Sequence, residues 1–327
     1  MNSRVKRIVE TRQAAAVVER QGARRWNKHH PGPKMVGKNN LNTSTVNSRV
    51  RRIVETRQTA ALVERQEARE WVKSLLSRRL PSHVNELSSD VVKDLHVMRE
   101  IGQGKNGIVS LIRHEGELRA MKVLKDADFE ILLEEIQMLR KVNGAGGAPV
   151  LHGVCIDPFI IIQSYVGMPY EKYLSRCPPN KVLFSLVKLG ERLSEIHQNN
   201  LSHNDLKINN VTVTLLPGGE ADIHIIDFGE CSGFGIPLDE QYSAKEDMRI
   251  YWVAPEVKRG GVITRASDVF SFGHIIHKIY SEFTSFNDSV KTRLLDLYLS
   301  ATKVDPEVRL SLDDLIGHLT ELAHQNQ

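Results

Sequence analysis

Cysteine is scarce in this chain: three in 327 residues, Cys155, Cys177 and Cys231. An odd number at wide spacing offers neither a disulfide framework nor a cysteine-rich zinc site, and suggests a reducing, intracellular setting, cytoplasmic or nuclear. No apolar run reaches the roughly eighteen residues that a membrane-spanning helix needs. The opening MNSRVKRIVE lacks the apolar stretch of a secretory signal, no glycine follows Met1, and the closing HQNQ carries no prenylation cysteine, so neither leader nor lipid anchor is expected. Aromatic residues make up only 6%, yet 41% hydrophobic and 26% charged residues are ordinary for a globular protein with a sizeable core. Charge of one sign does not dominate the whole: the net charge is +4. It divides unevenly, +11 over residues 1–95 against −7 over 96–327. That excludes a uniformly basic nucleic-acid binder and marks a boundary near residue 95.

The basic part contains a duplication. Residues 2–26 and 47–71 agree at 20 of 25 positions, NSRVKRIVETRQAAAVVERQGARRW against NSRVRRIVETRQTAALVERQEAREW. Two copies fall short of the three or more that a solenoid needs. Val5, Ile8, Val9 and Ala16, and their counterparts Val50, Ile53, Val54 and Ala61, recur at helical spacing while arginines take the other faces. Residues 27–46 between the copies are polar with prolines and glycines, the composition of a flexible linker. A basic helix of this kind is either a solvated face or a surface for an acidic partner, nucleic acid or anionic membrane.

Chemistry begins after residue 95. HVMREIGQGKNGIVSLI reads as a strand, a turn and a second strand. Its glycines Gly102, Gly104 and Gly107 are followed by Val109 in a β-branched run, which places them on a hairpin rather than at a helix start. Glycines there let backbone amides approach phosphate oxygens with no Cβ in the way. The third strand carries Ala120 and Lys122. A lysine on the apolar side of a strand needs an anion, and the following helix DFEILLEEIQMLRKV offers Glu130, Glu134 and Glu135. Further on, LSHNDLKINN presents His203, Asp205, Lys207 and Asn210, and HIIDFGE presents Asp227, Phe228 and Gly229. Two aspartates, an asparagine and a lysine on loops bounded by apolar strands suit Mg²⁺ and phosphate. Asp205 is left to accept the proton of an attacking hydroxyl.

The order of these motifs over residues 96–323 resembles the eukaryotic protein kinase family. The resemblance implies an α+β, two-lobed fold: a small antiparallel-sheet N-lobe with one long helix, and a larger, mainly helical C-lobe, with ATP between them. It implies a phosphate-covering loop at Gly102, Gly104, Gly107 and Val109, and a strand lysine, Lys122, paired with Glu135 or, alternatively, Glu134. It further implies Asp205 as base, Lys207 as γ-phosphate contact, and Asn210 and Asp227 as Mg²⁺ ligands. By position, Gln163 to Val166, with Tyr165 among them, form the hinge over the adenine, with Ala120 and Val109 packing on its face. Ala254-Pro255-Glu256 and its arginine partner Arg309 are structural, as is Asp268, which steadies the catalytic-loop backbone. Phe228, His203 and Leu139 should form an apolar column.

Several positions depart from the family pattern. Asn204 replaces the arginine that commonly holds an activation-loop phosphate, which bears on control through Ser232, Tyr242 or Ser243. Arg249 stands where Ser/Thr kinases carry a threonine, and Trp252 where tyrosine kinases often have a tryptophan, whereas Lys207 is a Ser/Thr signature. Thr212 replaces a leucine expected under the adenine. Cys231 has no basic cluster around it in sequence and reads as structural. The expected function is an ATP- and Mg²⁺-dependent protein Ser/Thr kinase acting on a protein substrate. The alternatives are a pseudokinase scaffold or a small-molecule kinase of the aminoglycoside or choline type.

Overall fold

The structure is a computed structural model that describes residues 84–327, apart from 105–106, 125–128, 157, 238–248 and 284. The duplicated segments 2–26 and 47–71, the linker 27–46, Tyr242, Ser243 and the side chain of Glu130 lie outside the described residues.

The N-terminal lobe is built on a six-stranded sheet. Strands β1 (Asn85–Glu86), β2 (His96–Gln103), β3 (Gly107–His114), β4 (Glu117–Leu124), β5 (Leu151–Ile156) and β6 (Phe159–Ser164) lie in the order β1-β5-β6-β4-β3-β2. Five of them pair antiparallel, while the two-residue β1 pairs parallel with β5, an edge that residues before 96 add to the sheet. A helix, α1 (Ser89–Lys93), follows β1 and is capped by the Ser88 hydroxyl. Strands β3 and β4 turn through Glu115-Gly116, both at positive φ (52° and 81°), the twist that a two-residue hairpin requires. On β4 the side chains alternate. Met121 joins Ile112, Cys155, Ile160 and Ile162 in one core cluster, leaving Ala120 and Lys122 on the opposite face.

The long helix of this lobe, α2 (Phe129–Val142), buries Leu132, Ile136, Leu139 and Val142 at three- and four-residue spacing. Glu135 lies within that stripe and is itself buried, whereas Glu134 is exposed.

The C-terminal lobe is mainly helical: α3 (Tyr170–Leu174), α4 (Pro179–Gln198), α5 (Pro255–Lys258), α6 (Arg265–Glu282), α7 (Asp288–Ala301) and α8 (Leu312–His324). Helix α4 opens on a proline in its first turn, where a missing N–H costs no bond. Its buried Val182, Leu186, Leu189, Leu193 and Ile196 make it the core of the lobe, packed against α8, while α6 packs on α7. Helix α6 begins with a reciprocal capping box between Thr264 and Ser267. Two small sheets carry the functional loops: β7 (Met168–Pro169), β9 (Val211–Leu215) and β10 (Ala221–Ile225) in one, β8 (Leu201–Ser202) and β11 (Ser232–Gly233) in the other. The expected two-lobed α+β architecture is therefore present, with the short β1 and α1 as additions. Among the described residues no helix is long and apolar enough to cross a membrane.

Candidate active site

Lys122 is the centre from which the site can be built. Strand β4 directs it away from the apolar cluster, and its side chain is only 8% exposed. Its Nζ donates to Glu135 Oε1 at 2.7 Å and to Asp227 Oδ1 at 3.2 Å. Helix and strand thus supply one buried ion pair, and the loop after β10 supplies the second carboxylate. Burial opposes the charge on Lys122, but the two carboxylates more than offset it and hold its pKa above the ordinary lysine value. Burial pushes the Glu135 carboxyl up, with the Lys122 charge pulling it back. At Asp227 burial also favours the neutral acid, yet the Lys122 ammonium prevails and keeps the carboxyl below the usual aspartate range. Asp227 takes a left-handed backbone, φ 66°, a conformation aspartate tolerates better than most side chains. Its side chain is 42% exposed, so it can offer oxygen to a ligand as well as to Lys122.

The second cluster gathers on the loop between β8 and β9. Asp205 Oδ2 accepts from Lys207 Nζ at 2.6 Å and from Asn210 Nδ2 at 3.0 Å, and the same Nδ2 donates to the Asp205 carbonyl at 2.9 Å. Those bonds use the amide nitrogen of Asn210 and leave its Oδ1 as a hard oxygen donor. The loop is held from beneath by Asp268 of α6, which is fully buried. It accepts from the His203 N–H at 2.8 Å, from the Asn204 N–H at 2.9 Å and from His197 Nε2 at 2.9 Å. Burial disfavours its charge, but the His197 bond, the His197 and His203 rings and the His203 N–H hold its pKa below the ordinary value. An ionised carboxylate only accepts, so the His197 proton resides on Nε2. His203 donates Nε2–H to the Ile226 carbonyl at 3.1 Å, which ties this loop to the one carrying Asp227. The rings of His203 and Phe228 are 5.3 Å apart, and Leu139 is buried as they are.

The glycine turn joins β2 to β3. Gly102 pairs with Val109, and the Gly104 N–H donates to the Gly107 carbonyl at 2.9 Å. A Cβ on Gly107 would stand 2.4 Å from the Val123 carbonyl oxygen, so no other residue fits there unshifted. Val109 lies opposite Lys122, and Ala120 opposite Gln163. The strand ladder therefore brings Gly102, Val109, Ala120, Lys122 and Gln163 to one face of the sheet, with Tyr165 just past the end of β6. Beyond Tyr165, Thr212 Oγ1 on β9 donates to the Val166 carbonyl at 2.6 Å.

Glu256 and Arg309 stand apart from both clusters and meet each other, with Nη1 and Nη2 at 2.6 and 2.7 Å from the carboxylate oxygens. Cys231 is buried, and burial together with the nearby Asp268 charge pushes its thiol up to about 12, an inert state.

Two contacts escape sequence reasoning. The Trp252 indole N–H donates to Asp205 Oδ1 at 2.8 Å. Asn204, at φ 62°, donates from Nδ2 to the Glu230 carbonyl and to Ser232 Oγ, both at 2.8 Å. Both residues stand out in the sequence as departures from a pattern, but nothing in the sequence says what they touch.

Among the described residues no group of three or more His, Cys, Asp or Glu could hold a metal ion. A divalent cation here would rely on Asp227, Asn210 and oxygens brought by a ligand, which suits magnesium.

A family model described as protein kinase domain matches residues 95–312. Similar curated proteins include the probable serine/threonine-protein kinase roco5 of Dictyostelium discoideum, 26% identical over 233 residues, covering 64% of this chain and 8% of that protein. Another is the tyrosine-protein kinase Srms of Homo sapiens, 30% identical over 199 residues, covering 56% of this chain and 38% of that protein. A third, the probable serine/threonine-protein kinase mkcF of Dictyostelium discoideum, is 25% identical over 238 residues, covering 69% of this chain and 33% of that protein. The chain spans well under half the length of each.

Proposed function

The chain belongs to the protein kinase family, and on that premise we propose that it transfers the γ-phosphoryl group of ATP to serine or threonine hydroxyls of protein substrates, with Mg²⁺. One observation carries the reading: Lys122 lies between Glu135 at 2.7 Å and Asp227 at 3.2 Å, so the ammonium, its anchor and a prospective metal ligand are already assembled. Asp227 and Asn210 would hold the magnesium ion, which would supply positive charge against that of the phosphates.

The chain's own residues do the rest. The turn of Gly102, Gly104 and Gly107 lets the backbone cover the phosphates with no Cβ in the way, and Glu135 keeps Lys122 extended toward them. Val109 and Ala120 provide an apolar surface for the adenine beside Gln163 and Tyr165. Asp205 orients the acceptor hydroxyl and takes its proton, and Lys207 counters the charge spreading over the transferred group. Asp268 holds the loop backbone on which these groups depend. The Ser/Thr preference rests on Lys207, two residues past the base and 2.6 Å from its carboxylate. We place the kinase domain at residues 96–323, with Asn85–Glu86 adding a strand to its sheet, and the basic repeats at 2–26 and 47–71 as a separate region that would meet an acidic protein, nucleic acid or an anionic membrane.

The test is to incubate the full chain with labelled ATP, Mg²⁺ and a degenerate peptide library. Label on serine and threonine, absent with Asp227→Asn, is expected. Label on tyrosine alone would correct the acceptor class, and transfer undiminished in the variant would falsify the assignment of the site.

A further inference from the structure

The geometry points to Trp252 as a positioning residue for the transfer, one that fixes the Asp205 carboxylate so that a single oxygen lone pair remains for the acceptor. The inference rests on the proposed role of Asp205 as base.

An ionised carboxylate has about four lone-pair sites, two on each oxygen. Asp205 Oδ2 accepts from Lys207 Nζ at 2.6 Å and from Asn210 Nδ2 at 3.0 Å, which uses both of its sites. Oδ1 accepts from Trp252 Nε1 at 2.8 Å, which uses one. The remaining site is on Oδ1, beside the indole. An acceptor hydroxyl therefore approaches Oδ1 with Trp252 as its neighbour, and the indole bond sets the rotation of the carboxylate that receives it.

Trp252 is well placed to impose that rotation because it is itself held. Its carbonyl accepts from Ser271 Oγ of α6 at 2.7 Å, and the Lys207 ammonium lies 5.0 Å from its ring centroid. Tyr251 stands edge-on to the ring, with centroids 5.2 Å apart. The ring also packs on the buried cluster of Val253, Ala254, Val257, Ile263 and Phe270. One side chain thus joins the segment before α5 to both the base and Lys207. In the transfer, the acceptor oxygen bonds to the γ-phosphorus as the bond from that phosphorus to the β–γ bridging oxygen breaks. Its electron pair leaves with ADP, and the hydroxyl proton passes to Asp205 Oδ1. Trp252 takes no part in bond making; it holds Oδ1 where the proton arrives.

The test uses the full chain with Mg·ATP and a peptide acceptor. Trp252→Phe keeps an aromatic ring for the packing and for Lys207 but removes the N–H. Expected is a fall in kcat of about tenfold to a hundredfold, the scale of one hydrogen bond to a charged group, with KM for ATP and the melting temperature unchanged. In an Asp205→Asn background the same substitution should cost little more, since it acts through that carboxylate. Trp252→His, which retains a ring N–H, should recover part of the rate. An unchanged kcat in Trp252→Phe overturns the inference, and so does an equal loss in both backgrounds, which marks a merely structural role. If Trp252→Phe fails to fold, the decision passes to Trp252→His: partial activity that vanishes without Asp205 supports the inference, and full independence from Asp205 overturns it. If the unaltered chain transfers no phosphate at all, the proposed function falls first and this inference with it.

Discussion

Arg309 grips Glu256 through a two-pronged contact that spans 53 residues of sequence, with Nη1 and Nη2 at 2.6 and 2.7 Å from the two carboxylate oxygens. The guanidinium is fully buried, its remaining N–H groups donate to the carbonyls of Lys303, Ala266 and Val304, and it lies 5.0 Å from the Phe270 ring centroid. Every donor has a partner, the condition under which a buried charge is tolerated.

Breaking that contact should be costly. Arg309→Ala strips the part-buried Glu256 carboxylate of both guanidinium bonds, leaving it Ser267 Oγ, and is expected to lower stability by about 3–5 kcal/mol. Arg309→Lys keeps the charge but not the fork, and should fall in between. Urea denaturation midpoints of the three proteins measure this, and a midpoint unmoved in Arg309→Ala would show that the contact contributes nothing.

Asp268 gives a pH dependence whose sign follows from its depressed pKa. In the unfolded chain an aspartate titrates near about 3.9. A group whose pKa is lower when folded stabilises fully above the unfolded value and loses that contribution as pH falls through the folded one. The stability gap between the native chain and Asp268→Asn should therefore be constant from about pH 6 to 8 and shrink below about pH 4. Phosphoryl transfer should drop in the variant at every pH, since the amides of His203 and Asn204 use both carboxylate oxygens and asparagine offers only one, setting an NH2 donor against the other N–H. Equilibrium unfolding at a series of pH values checks it; a gap that widens in acid would contradict the argument.

The glycines of the turn should differ sharply. Gly107→Ala puts a methyl against the Val123 carbonyl, 2.4 Å away, whereas at Gly104 nothing lies within 4 Å. Gly107→Ala should cost about 1–3 kcal/mol by overpacking and weaken nucleotide binding, while Gly104→Ala should leave the melting temperature nearly unchanged. Thermal unfolding with and without Mg·ATP separates the two, and equal melting temperatures would show that the close approach is relieved by a backbone shift.

How far the sequence reaches depends on how local each feature is. Lys122, Asp205, Asn210 and Asp227 stand in short patterns bounded by apolar strands, so both the lobes and the candidate site residues were legible. The choice between Glu134 and Glu135 was not settled there. Neighbours on a helix point about 100° apart, and only the packed face of α2 decides that Glu135 is the buried one. Strand β1 has two residues, too few for any periodicity, and forms because β5 offers it an edge. The bond from Trp252 to Asp205 spans 47 residues and depends on the path of an irregular loop, which no spacing rule encodes.

The anchoring of the connection between the lobes has a mechanical result. Up to Ser164 the chain is fastened to the sheet side, through the Ser164 N–H on the Val150 carbonyl. From Val166 onward it is fastened to the helical side, through Thr212 and the pairing of Met168 and Pro169 with β9. Tyr165 is left between the two clamps. Any rocking of one half of the molecule against the other would thus fall on the few torsions from Ser164 to Val166, a short axle rather than a slack tether.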